Sequence, residues 1–173
     1  DVAQLRQYQF NEDAGPSSHP IKPSEYIEIN NFYTSTIYEK GAEVIRMIHT
    51  LLGKDGFRRG MDKYFELYDG MAVTTEDFLH AMSVANNDFN FEQFKNWYSQ
   101  RGTPEVVIDH QYNDSEKKLT LKVEQKPPKT LARAEWKPYH FPLALGMISS
   151  ETGKELKMSL EKSQGQLDLN KGY

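Results

Sequence analysis

Up to about Gly102 apolar residues recur every three or four positions; beyond it they alternate with polar ones. A period near 3.6 marks amphipathic helices and a period of two marks half-buried strands, so the chain reads as a helical unit followed by a β unit. Residues 2–10 suit the tail of a helix. Residues 11–23 then gather Gly15, Pro16, Ser17, Ser18, Pro20 and Pro23, a density of breakers that forbids regular structure. Residues 26–29 alternate apolar and acidic side chains, as a short extended piece would. Thr36-Ile37-Tyr38-Glu39 fits a capping box, in which a hydroxyl and a carboxylate satisfy free amides of the first helical turn. Val44, Ile45, Ile48, Leu51 and Leu52 follow on one helical face, and Gly53 is a natural stop. Gly41 inside that helix should cost about 1 kcal/mol against alanine, which predicts close approach of another backbone there.

A second helix is predicted over residues 55–68, with Phe57, Met61, Tyr64 and Phe65 on one stripe. A third begins at Thr74 or Thr75, with Glu76 and Asp77 where the dipole favours anions and Phe78, Met82 and Ala85 inward. A fourth, from about Asn90, carries Phe91, Phe94, Trp97 and Tyr98 and stops at Gly102-Thr103-Pro104. Five alternating strands follow: Val106 to Tyr112, Leu119 to Val123, Phe141 to Met147, Leu156 to Leu160, and Leu167 with Leu169. Asn113-Asp114 and Glu151-Thr152-Gly153 supply turns, and the pattern predicts an antiparallel sandwich. The expected fold class is α+β, with an all-α part over residues 1–103 and a β-sandwich over 104–173, truncated where the chain ends.

Composition narrows the chemistry. The 173 residues carry 21 Lys and Arg against 25 Asp and Glu, a formal charge of −4 that argues against a dedicated nucleic-acid binder. The first 103 residues hold −5 and the remainder +1, a shift too small to define a binding surface. No cysteine is present, which removes disulfides, thiolate metal sites and cysteine nucleophiles. No run approaches the roughly 18 apolar residues of a membrane helix, so no membrane partner is expected. The chain opens at Asp1 without a basic-then-apolar leader, and without an initiator Met it is expected to be a processed or excised piece.

The five histidines, His19, His49, His80, His110 and His140, offer no i, i+4 pair of the kind that binds metal on one helical face. The glycines form no phosphate-binding cluster, and no G-x-S-x-G motif is present. Glu39 and Glu43 share a helix face, where paired carboxylates ordinarily stay solvated. Tyr38 is different. It sits in the first turn of the capped helix, where free amides and the dipole favour developing negative charge, and a neutral phenol can donate to an oxyanion. The plain alternative is a tyrosine packed at the helix start with its hydroxyl in water.

Tyr38-Glu39-Lys40-Gly41-Ala42-Glu43-Val44-Ile45-Arg46-Met47-Ile48-His49 closely resembles the bacterial aminopeptidase N family, as do Asn30-Asn31-Phe32-Tyr33 and His19-Pro20-Ile21. So does Trp97 to Pro104, where that family passes from its catalytic domain into a β-sandwich. These are thermolysin-like zinc aminopeptidases that release N-terminal amino acids from peptides. The resemblance implies that Tyr38 is the catalytic tyrosine, polarising the scissile carbonyl and steadying the tetrahedral intermediate. It implies that Asn30 and Tyr33 line the pocket for the substrate's first side chain. It also implies a cytoplasmic enzyme, with residues 1–103 the helical tail of its catalytic domain.

The family's His-Glu-x-x-His, its third Glu ligand and its Gly-Ala-Met-Glu-Asn segment lie upstream in relatives and are absent from these residues. The chain is therefore expected to be an internal fragment: zinc belongs to the full-length parent, none is bound here, and the piece is inactive alone. Exposed half-domain surface would favour self-association. The competing reading is a non-catalytic helical platform with an immunoglobulin-like sandwich, holding a partner through the Asn30–Tyr38 surface. His-Glu-x-x-His upstream of Asp1 would discriminate the two.

Overall fold

The computed structural model describes residues 2–132 and 135–159. Helix α1 (Val2–Gln4), a π-helical turn (Leu5–Gln9) and α2 (Phe10–Ala14) run continuously, so the helical tail reaches into the 11–23 stretch expected to hold no regular structure, because its first Gly or Pro comes only at Gly15. Residues 15–28 hold no regular element, as their breakers require, and the Lys22 amide anchors them by donating to the Tyr98 carbonyl at 2.9 Å. The extended piece expected over 26–29 is absent. Ile29–Phe32 forms a 3-10 turn instead, because alternation without a pairing strand leaves the backbone groups unsatisfied.

A π-helical turn at Thr36–Lys40 leads into α3 (Gly41–Tyr68), which breaks at Gly53 with φ of 70°, where the sequence predicted one helix to stop and the next to begin. The capping box at Thr36 and Glu39 does not form. Thr36 is fully buried and its hydroxyl makes no hydrogen bond, while Thr34, two residues earlier, supplies the capping oxygen. Nor does a backbone crowd Gly41, whose nearest neighbour is the Ile21 side chain at ordinary contact distance. The close approach lies further along. A Cβ at Gly56 would stand 2.6 Å from Asn86 Oδ1, and one at Gly60 would run into Met82 Sδ. These glycines let α4 (Thr75–Val84) lie against the second half of α3, whereas Phe65 on the predicted stripe is exposed.

α4 opens as its sequence demands. Thr74 Oγ1 accepts the Asp77 amide, and Asp77 Oδ2 accepts the Thr74 amide at 2.8 Å. The fourth helix is shorter than expected, with only α5 (Asn96–Ser99) helical after a run of turns. Its apolar set still packs as predicted: Phe91, Phe94, Trp97 and Tyr98 join Val44, Ile48, Leu52, Leu79 and Met82 in one core.

That core recruits a residue from beyond the helical part. Tyr139 is fully buried, its ring 4.1 Å from that of Trp97. Side-chain amides hold the irregular backbone around it. Gln100 Nε2 donates to the Lys137 carbonyl, Asn96 Nδ2 to that of Pro138 and Gln125 Nε2 to that of Tyr139, at 2.7–2.9 Å.

After α5 the chain forms a two-stranded antiparallel sheet, β1 (Glu105–Asn113) with β2 (Lys118–Lys126), pairing Ile108 with Val123 and Tyr112 with Leu119. Asn113 Oδ1 accepts the amides of Ser115 and Glu116 and closes the turn. The structure is thus a helical part followed by an antiparallel sheet, with the alternating apolar face of both strands half exposed. Residues 1–141 form one compact unit and 142–173 another. The strands expected over 141–147 and from Leu156 reduce, among the described residues, to a single bridge, Ile148 with Glu155, around the predicted Gly153 turn. Leu160, Leu167 and Leu169 lie outside the described residues. Among the described residues no helix is long and apolar enough to cross a membrane.

Candidate active site

Tyr38 lies within the π-helical turn that begins the long helix, and its ring is 61% exposed. Three successive amides at this start find acceptors. Thr36 N–H donates to Glu12 Oε1 at 3.1 Å, Ile37 N–H to Thr34 Oγ1 at 3.2 Å, and Tyr38 N–H to the Thr34 carbonyl at 3.2 Å. A carboxylate here also complements the positive end of the helix dipole. The Tyr38 ring stacks against Tyr33, centroids 6.3 Å apart and planes 28° from parallel. Tyr33 in turn meets the edge of Phe32, and Phe32 that of Tyr26.

Of the three residues singled out in the sequence, Tyr33 and Tyr38 therefore lie together. Asn30 is exposed, and its side-chain amide donates to Glu28 Oε1 at 3.1 Å. Beside the turn lies an open cavity of about 340 Å3, walled in part by Glu12, His19, Tyr26, Phe32, Thr34 and Ile37.

Behind the turn sits a buried ion pair. Lys40 Nζ donates to Asp13 Oδ2 and to the Gly102 carbonyl, both at 2.8 Å. Asp13 also accepts the Gly102 amide at 2.9 Å and the Thr103 hydroxyl at 2.7 Å, so each charge is nearly saturated with partners. Burial pulls the Lys40 ammonium below the ordinary lysine range, against the opposing pull of Asp13. This pair ties α2, the start of the long helix and the residues after α5 to one point.

Sequence reasoning missed Asp13, Glu12 and the Thr34 cap. One signal was available. Lys40 falls four residues before Val44 and eight before Ile48, placing a cation on the buried stripe, where it must find a partner. Nothing local in the sequence identified that partner as Asp13.

Among the described residues no three His, Cys, Asp or Glu side chains gather so as to hold a metal ion. What the turn offers is an exposed phenolic donor on a firmly held backbone.

Residues 2–98 match the model of the Peptidase family M1 domain. The chain belongs to peptidase family M1. Residues 102–172 match a domain of unknown function, DUF3458, described as having an Ig-like fold. The chain is 50% identical over 151 residues to aminopeptidase N of Escherichia coli (strain K12), covering 87% of this chain and 17% of that protein. It is 49% identical over 156 residues to aminopeptidase N of Haemophilus influenzae, covering 90% and 18%. Among solved structures it resembles Legionella pneumophila aminopeptidase A in complex with aspartic acid, with a TM-score of 0.58 and 31% identity over 62% of this chain and 12% of that one. The chain thus spans less than a fifth of the curated bacterial relatives it matches.

Proposed function

We propose that this chain is the part of a zinc-dependent aminopeptidase that supplies a transition-state hydrogen-bond donor, Tyr38, and none of the zinc ligands. The enzyme releases N-terminal amino acids from peptides in the cytoplasm. The observation that carries this reading is the placement of Tyr38: an exposed phenol on the first turn of a long helix, rather than a ring packed in the core. As the carbonyl carbon becomes tetrahedral its oxygen gains charge, and a fixed O–H donor binds that oxygen more tightly than the ground-state carbonyl. Tyr33, stacked on Tyr38, and Asn30 contribute to the pocket for the first side chain. The zinc and the attacking water belong to residues outside this chain. Alone, the chain has a donor without a nucleophile and is inert, and its exposed apolar residues favour self-association.

Two measurements test this. Zinc added to this chain should give no hydrolysis of aminoacyl arylamides; turnover that Tyr38→Phe abolishes would overturn the reading. In the full-length holoenzyme Tyr38→Phe should lower kcat by roughly 100- to 1,000-fold with bound zinc unchanged. A near-normal rate would contradict the role.

A further inference from the structure

One acceptor at the start of the Tyr38 helix, the Thr34 hydroxyl, is itself held by a side chain, His19. Its Nδ1 lies 2.8 Å from the Ser17 carbonyl and its Nε2 lies 2.7 Å from Thr34 Oγ1. A carbonyl can only accept, so Nδ1 carries the proton, and in the neutral ring Nε2 is left with a lone pair. The Thr34 hydroxyl then donates to Nε2, which turns its own lone pairs toward the Ile37 amide at 3.2 Å. With the His19 ring neutral, the direction of each link follows from the one before it. Glu12 Oε1, acceptor of the Thr36 amide, stands 3.7 Å from the same Nε2. The His19 and Glu12 side chains are 24% and 21% exposed.

We propose that His19 and Thr34, together with Glu12, are positioning residues that fix the helix start from which Tyr38 projects, a role that rests on the reading of Tyr38 as oxyanion donor. Misplacing a catalytic group by about 1 Å can cost up to about 100-fold in rate. A cap serving stability alone would leave turnover of the folded enzyme unchanged.

The test is made in the full-length holoenzyme, with kcat, KM and zinc content measured for Thr34→Val, Thr34→Ser, His19→Phe and His19→Gln, with and without Tyr38→Phe. Thr34→Val keeps the shape and loses the hydroxyl, and His19→Phe loses the acceptor. Each should lower kcat by at least about 10-fold, leaving KM and zinc nearly unchanged. Thr34→Ser, and His19→Gln with its amide oxygen near the Nε2 position, should recover most of that loss. With Tyr38→Phe present, neither loss should add to that of Tyr38→Phe alone, since no hydroxyl remains to be placed. Unchanged kcat, or the same fractional loss with and without Tyr38→Phe, would overturn the proposal. Should Thr34→Val yield no folded enzyme, the His19 pair decides by the same criteria. Near-normal turnover of Tyr38→Phe by itself would overturn the reading of Tyr38, and this proposal with it.

Discussion

Two helix starts in this molecule meet the same requirement from different sources. At α4 the cap is local, with Thr74 and Asp77 exchanging amide hydrogen bonds within four residues. At the start of the Tyr38 helix, Thr34 caps Ile37, but the Thr36 amide goes to Glu12, 24 residues earlier, and Thr34 is held by His19. A local cap fixes only where a helix begins. A distant one also fixes the direction in which it leaves the rest of the fold, because the capping groups are themselves packed elsewhere. The start that carries the candidate catalytic tyrosine uses the distant form, and the buried Lys40–Asp13 pair reinforces it two residues on.

The largest effect should come from breaking that reinforcement. Asp13→Ala leaves the Lys40 ammonium buried without its counter-charge and should destabilise the fold by about 3–5 kcal/mol in denaturant unfolding. A loss below about 1 kcal/mol would mean that water or the Gly102 carbonyl suffices, and that the distant anchor matters little. Smaller is the local cap. Thr74→Ala should cost about 1 kcal/mol of stability and, in the full-length holoenzyme, leave kcat unchanged. A kcat loss matching that of Thr34→Val would erase the distinction between the two starts.

The smallest effect concerns a distant ion pair at the start of α4. Lys22 Nζ donates to both Glu76 oxygens at 2.8–2.9 Å and holds that carboxyl at about 2, well below its ordinary value of 4.5. A carboxylate with a lowered folded-state pKa stabilises fully above its unfolded value and loses that contribution as pH falls through the folded one. Stability should therefore decline between pH 4.5 and about 2, by less than about 1 kcal/mol since the pair is exposed. Glu76→Gln should remove this component of the acid sensitivity; an unchanged pH profile would show that the pair contributes nothing.

The contrast between the helix starts also explains what could be read from the sequence. Thr74, Asp77 and the apolar set of α4 were legible because cap and stripe are neighbours in the chain. The break at Gly53, the burial of Phe91, Phe94, Trp97 and Tyr98, and the first hairpin were legible for the same reason. The box at Thr36 was misread because a hydroxyl three residues before a carboxylate satisfies the pattern whether or not the residue faces the core. Gly41 drew attention that belonged to Gly56 and Gly60, whose need appears only once α4 is laid against them. Residues 141–147 and 156–158 alternate without forming strands here, because alternation records which side chains prefer burial, not which backbone finds a pairing partner. At the site, the position of Tyr38 in a helical first turn was legible. Its supports were not, since they depend on contacts across 24 and 27 residues.

The most direct test of the central claim compares binding rather than rate. A phosphinic pseudopeptide that mimics the tetrahedral intermediate should bind the full-length Tyr38→Phe holoenzyme weaker by about the same 100- to 1,000-fold factor by which kcat/KM falls, with KM for the peptide little changed. If kcat/KM falls while affinity for the mimic stays the same, Tyr38 does not hold the oxyanion.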